Sequence, residues 1–125
     1  MWLCTKLGFF SIVAKTPAEV HIRARAEKDL HNLRRLVYLR NDVTASRWKI
    51  HRTSPADYRW RIVIRPEELT VVLHALAMDL DYSNFKGVIA SRPDQRDKLA
   101  IYSAFHHALE HWQNNGGQRL SFSSL

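Results

Sequence analysis

The sequence predicts an α+β fold, in which a four-stranded, mainly antiparallel sheet carries helices on one face. Two kinds of periodicity predict it. In the first half of the chain, apolar and basic residues alternate along short segments, which is typical of strands with one buried face. In the second half, apolar residues recur every three or four positions, which is typical of helices. With 125 residues, we expect a single domain over residues 1–117 and a flexible tail at 118–125.

The first segment, from Trp2 to Lys15, predicts two short strands or one bent strand, with Gly8 at a bulge or turn. After a turn at Thr16-Pro17, a further strand is predicted from Glu19 to Ala26. A helix is predicted over residues 27–39, because acidic residues lie in its first turn and Arg40 at its end, as the helix dipole favours.

Two further strands, Trp48–Thr53 and Tyr58–Arg65, are predicted to form a hairpin around residues 54–57. A second helix is predicted to begin at Pro66, and a short third helix to follow Ser83 as its cap. The resulting order, β-β-α-β-β-α-α-α, contains most of a ferredoxin-like core.

The last helix is predicted to begin at Pro93-Asp94 and to end near Gly116. Its apolar residues recur at helical spacing and are expected to be buried. They are Leu99, Tyr102, Phe105, Leu109 and Trp112.

The positive charge is concentrated in the strand-rich half of the chain. The formal net charge is +7, and residues 21–65 carry twelve Lys and Arg against four Asp and Glu. Residues 66–115 carry four Lys and Arg against seven acids. This asymmetry indicates an anionic partner and leaves the fold open.

Cys4 is the single cysteine of the chain, which excludes an intrachain disulfide and indicates a reducing, cytoplasmic setting. The apolar run from Leu7 to Ala14 is interrupted by Gly8 and Ser11, and no small-residue cleavage site follows it, so a secretory signal is not expected. No segment is long enough to cross a membrane, and we expect no membrane partner.

Alternation in three predicted strands gathers basic residues on one face of the sheet, with Val63 as the single interruption and with no acid. These residues are His21, Arg23, Arg25, Lys49, His51, Arg59, Arg61 and Arg65. For binding an anionic partner we single out Arg23, Arg25, Lys49, Arg59, Arg61 and Arg65.

A basic face of this kind suits RNA or single-stranded DNA, because Arg and Lys displace the counterions of phosphates. Binders of single strands also need aromatic rings on which bases stack. Alternation places Tyr58 and Trp60 in the core, so only Phe9 or Phe10 is expected to point outward. Two alternatives remain open: docking of an acidic protein or of a second copy of the chain, and a small enzyme whose site is assembled only in three dimensions.

Two other clusters of polar residues are candidate functional sites. The segment from His107 to His111 has the H-x-x-E-H spacing of inverted zinc peptidases, but a catalytic zinc needs a third protein ligand and the pair lies opposite the apolar stripe. We expect a solvated helix face, with no metal, no cofactor and no catalytic residue. The polar residues of the segment Asp79–Lys86 have two interpretations: they form a small polar pocket, or they cap the adjacent helices. Capping is favoured.

The opening of the chain, with Trp2, Thr5 and Gly8-Phe9-Phe10-Ser11, fits the pattern M-W-x-x-T-x-x-G-F-F-S. Further matching segments are Arg23-Ala24-Arg25, Asp57-Tyr58-Arg59 with Arg61, and Asp81-Tyr82 with Asn84-Phe85-Lys86. In these residues the chain resembles an uncharacterised family of small bacterial proteins. The resemblance implies a stand-alone cytoplasmic protein whose mature chain begins at Met1, and it implies no activity, ligand or catalytic residue.

Overall fold

A five-stranded antiparallel sheet is the centre of the fold, in a computed structural model that describes residues 1–53, 55 and 57–116. The strands lie in the order β1-β2-β3-β5-β4. Their bounds are β1 Trp2–Cys4, β2 Phe9–Thr16, β3 Glu19–Ala24, β4 His51–Arg52 and β5 Trp60–Ile64. The helices are α1 Glu27–Arg40, α2 Asp42–Ala45, α3 Glu68–Met78, α4 Phe85–Ala90 and α5 Leu99–Asn114, the last preceded by a 3₁₀ turn at Arg96–Lys98.

The α+β class and the antiparallel sheet are confirmed, but the count of four strands is wrong. The segment Trp2–Lys15 forms two strands, because the chain turns back at Thr5–Gly8 and β1 pairs with β2. A short helix, α2, also follows α1. The hairpin turn predicted at 54–57 includes residues 54 and 56, which lie outside the described residues.

The ferredoxin-like arrangement is matched only in part. Since β5 pairs antiparallel with both β3 and β4, the strands β3 and β4 are parallel, and β5 lies between them. This is the split β-α-β unit of that fold. The position beside β3 is filled by β2, which precedes the unit in the chain, and β1 adds a further edge strand.

The chain divides into two compact units, Met1–Phe85 and Lys86–Leu125. In the first unit, one face of the sheet packs against α1 and α3. Its central residues are fully buried: Ile22, Ala24, Leu30, Leu33, Val37, Ile62 and Val72. The assignment of residues 1–117 to one domain stays a prediction, and the tail at 118–125 lies outside the described residues.

The turn between β1 and β2 is fastened to α1 by polar contacts. The Thr5 hydroxyl accepts hydrogen bonds from the N–H groups of Leu7 and Gly8 and donates to Gly8 O at 2.9 Å. The buried Asp29 carboxylate accepts the N–H of Phe9 at 3.1 Å. These bonds hold the start of β2 against the first turns of α1.

The second unit contains α5, and no residue of this helix is buried. The expectation of a buried apolar stripe is therefore wrong for this helix, since Phe105, Leu109 and Trp112 are about half exposed. Helical spacing shows which side of a helix is apolar, but it does not show whether another segment of the chain packs there. No helix in the described part of the chain has the length and apolarity needed to cross a membrane.

Candidate functional site

The register of the sheet builds one row of side chains across all five strands, on the face opposite the core. Residues that pair directly across two strands project to the same side. The row is Trp2, Ser11, Arg23, Arg61 and His51. The neighbouring row is Val13, His21 and Val63. We call these eight residues the Arg23–Arg61 face.

Two hydrogen bonds fix the orientation of the arginines on this face. Arg23 Nη2 donates to Ser11 Oγ at 2.6 Å, and Arg61 Nη1 lies 3.0 Å from His21 Nδ1. Because a guanidinium can only donate, His21 Nδ1 must be the acceptor, and the imidazole hydrogen is then on Nε2. Nε2 of the same ring lies 3.6 Å from Oε1 of Glu19.

Three donors on this face are buried and lack a hydrogen-bond partner among the described residues. They are Arg23 Nε, Arg61 Nε and His21 Nε2. Arg23 and Arg61 are also direct cross-strand partners, and like charges placed so are destabilising. Buried donors without acceptors cost free energy. A bound anion would supply acceptor oxygens and offset the repulsion, so this pair is the centre of the candidate site.

Tyr58 lies against Arg23 and Arg25, and its predicted place in the core is wrong. Its ring centroid is 4.6 Å from Arg23 Cζ and 4.4 Å from Arg25 Cζ, within the range of cation–π contacts. The alternation from which the core position was inferred begins only at Trp60, because residues 57–59 form a bend. Trp60 does pack against the core. An aromatic ring is thereby added beside the guanidinium groups.

The remaining predicted residues occupy different surroundings. Arg25 is exposed and donates to Asp57 O at 2.9 Å. Arg59 and Lys49 are exposed and lie outside the strands, since β4 is limited to His51–Arg52. Arg65 Nε lies 3.3 Å from Glu68 and 3.5 Å from Glu67, so its charge is offset by acids at the start of α3. The structure therefore pairs Arg23 with Arg61 across two strands and brings Arg23 and Arg25 together at Tyr58, whereas Arg65 is engaged by the acids of α3.

Replacing Arg61 with glutamine is expected to stabilise the unliganded protein by about 0.5 kcal/mol at low salt, since one of two facing charges is removed. The measurement is urea unfolding of both proteins at about 20 mM and 1 M NaCl, where screening should close the gap. A variant less stable than wild type at low salt would show that the arginine pair is not repulsive.

A second polar cluster links the turn after β1 to the end of α3. Lys6 Nζ lies 2.7 Å from Asp81 Oδ1 and 3.5 Å from Asp79 Oδ1. Burial lowers the pKa of Lys6, but the hydrogen bonds and the charges of the two carboxylates leave it raised. The hydrogen bond from Lys6 lowers the pKa of Asp81, and burial raises the pKa of the nearby Tyr82. Lys6 thus pairs with two carboxylates, which indicates a structural role beside an adjoining cavity of about 300 Å³.

The histidines of α5 form no such constellation. His106 Nε2 pairs with Glu110 Oε2 at 3.4 Å, and His107 and His111 are exposed. No group of three metal-ligating side chains occurs among residues 1–53, 55 and 57–116.

The alternation pattern identifies neither Ser11 and Tyr58 as contacts of the arginines nor Trp2 as a member of the same row. Two of them could have been found from the turn at Thr5–Gly8, because a tight turn there sets the β1–β2 register and places Trp2 opposite Ser11. The comparisons add no assignment: no protein-family model, curated protein or solved structure matches the chain. The resemblance of its opening to a bacterial family thus stays a prediction.

Proposed function

We propose that this chain is a binding module for single-stranded nucleic acid, RNA or DNA, which it contacts through the Arg23–Arg61 face. The observation that carries the proposal is that two arginines, paired directly across β3 and β5, each have a buried Nε–H that finds no acceptor in the described part of the chain. Phosphate oxygens only accept hydrogen bonds, and each phosphate carries one negative charge. A phosphate at this pair would satisfy the donors and offset the repulsion together.

Aromatic rings beside the arginines favour single strands over duplexes. Tyr58 contacts both Arg23 and Arg25, and Trp2 lies at the end of the row with 74% of its surface exposed. Unpaired bases stack on such rings, and each stacked base contributes about 1–3 kcal/mol. The bases of a duplex are stacked on each other and offer no free ring face.

The proposal is tested by fluorescence anisotropy with labelled 12-nucleotide RNA, single-stranded DNA and duplex DNA at about 50 and 200 mM salt. If three arginines contact phosphates, a slope of about −0.7 per contact predicts roughly 20-fold weaker binding of single strands at the higher salt. Single strands should bind more tightly than the duplex.

Two sets of variants give this experiment its specificity. We expect the double variant Arg23→Gln/Arg61→Gln to bind at least tenfold more weakly and to lose about 1.4 from the salt slope. Tyr58→Leu should weaken binding with an unchanged slope. Arg40→Gln, which removes an exposed charge at the end of α1, is the matched control and should change little. Equal effects of Arg40→Gln and of Arg23→Gln/Arg61→Gln would refute the assignment of the site.

A second candidate is docking of an acidic protein or of another copy of the chain on the same face. It is favoured by the apolar residues Val13 and Val63 and by the exposed Trp2, which could form the centre of a protein interface. Analytical ultracentrifugation distinguishes it: a dimer that persists at 200 mM salt and is lost in Trp2→Ser, together with no nucleic-acid binding, would favour this candidate.

A further inference from the structure

A cleft of about 520 Å³ lies along α1, on a different part of the first unit from the Arg23–Arg61 face. One wall is a face of α1, and the other is formed by the end of α2 and the segment up to Trp48. Its volume falls within the range of about 300–1,000 Å³ that small-molecule sites occupy.

The α1 wall of this cleft is cationic. The cations Lys28, Arg34 and Arg35 line it together with His31, and no Asp or Glu is among its lining residues. Lys28 and Arg35 are exposed and make no ion pair with any described residue. Residues seven apart lie on one side of a helix, and their Cα atoms are about 10 Å apart along its axis. Two unpaired cations thus stand in line within one concavity.

Arg34, which also lines the cleft, is held in place by two contacts. Its Nη1 donates to Trp48 O at 3.2 Å, and its Nη2 lies 3.4 Å from His31 Nδ1. As an obligate donor, Arg34 makes Nδ1 the acceptor, so His31 carries its hydrogen on Nε2 and donates it to Glu27 at 3.1 Å. These contacts orient the guanidinium before any ligand arrives and leave its other N–H groups for acceptor oxygens.

Tyr38 adds an aromatic surface at the far end of the cleft. It lies one helical turn beyond Arg35 and is 53% exposed. The distance from Lys28 to Tyr38 along the helix is about 15 Å, the length of a planar ring joined to a short phosphate chain. We propose that this cleft binds a nucleotide, with the phosphates at Lys28, Arg34 and Arg35 and the base against Tyr38.

Isothermal titration calorimetry of the full chain with ADP, pyrophosphate and adenosine tests the proposal. We expect ADP to bind most tightly, pyrophosphate more weakly and adenosine most weakly. Arg35→Glu should lower ADP affinity at least tenfold. Tyr38→Ala should lower the affinity for ADP and leave that for pyrophosphate unchanged.

Arg40→Glu is the matched control, because it reverses an exposed charge at the end of the same helix outside the cleft. An equal loss in Arg40→Glu and Arg35→Glu, or no binding of ADP at 1 mM, would overturn the proposal. Its failure is separable from that of the proposed function, since Arg35→Glu should still bind single strands and Arg23→Gln/Arg61→Gln should still bind ADP.

Discussion

Replacing Gly8 with alanine is expected to lower the free energy of unfolding by about 3 kcal/mol, at the upper end of the cost of overpacking. An added Cβ would lie 2.5 Å from Asp29 Cβ and 2.6 Å from Asp29 Cγ. Asp29 Cβ is fixed to the backbone of α1, so no side-chain rotation can relieve the contact. Either α1 or the β1–β2 turn must move, which disrupts the bonds from Phe9 N–H to Asp29 and from Asn32 to Leu7 O.

Urea unfolding followed by circular dichroism measures this loss. The control is Gly116→Ala at the end of α5, where φ is +68° and an added Cβ meets nothing within 4 Å. It carries only the cost of a left-handed backbone, about 1 kcal/mol. A Gly8→Ala variant as stable as wild type would show that α1 and the turn are not in the described contact.

Removing the Glu68 carboxylate is expected to cost about 3 kcal/mol, because it leaves buried donors without acceptors. Glu68 accepts the indole N–H of Trp48 at 2.9 Å, the backbone N–H of Arg65 at 3.0 Å and Arg65 Nε at 3.3 Å. Glu68→Ala tests this by urea unfolding. Glu67→Ala is the matched control, since that neighbouring acid is exposed, pairs with the same arginine, and should contribute less than about 1 kcal/mol.

Because of the same carboxylate, the difference in the free energy of unfolding between wild type and Glu68→Ala depends on pH. Burial raises the pKa of Glu68, but the hydrogen bonds from Arg65 and Trp48 outweigh it and leave the pKa below the ordinary value of 4.5. A group with a lowered folded-state pKa stabilises the protein above its unfolded-state pKa, and this contribution is lost as pH falls through the folded value. We expect this difference in the free energy of unfolding to be constant from pH 7 to 5 and to shrink below pH 4.5. A difference that grows on acidification would contradict it.

Alternation predicted the two faces of β3 and β5 correctly within the strands, where apolar residues at every second position are buried in the core. Ile22 and Ile62 pair in the core, so Arg23 and Arg61 must pair on the other side. The same rule failed at Tyr58, where the chain has left the strand and a period of two no longer describes the side-chain directions. The residue at which a strand ends depends on the conformation of the following loop, and the alternation of residue types gives no information about that conformation.

Long-range polar pairs were beyond sequence reasoning for a different reason. The pattern around Asp81 indicates partners that are close in the chain, but Asp81 pairs with Lys6, which is 75 residues away in the sequence. Charge patterns within one segment cannot identify such partners. The need for glycine at position 8 could not be predicted for the same reason. A side chain is excluded there by Asp29, which lies on α1, whereas the backbone conformation of Gly8 is ordinary.

The sheet ends on both sides in very short strands, β1 with three residues and β4 with two. An edge strand presents unpaired N–H and C=O groups that can recruit strands from other molecules, and short edges limit this templating. Of the longer strands, β3 lies between β2 and β5, whereas β1 pairs only with Phe9–Ser11 of β2 and β4 only with Trp60 and Arg61 of β5. Detachment of β1 or β4 would therefore expose the whole edge of β2 or β5, and we expect edge-to-edge association to be strongest in such chains.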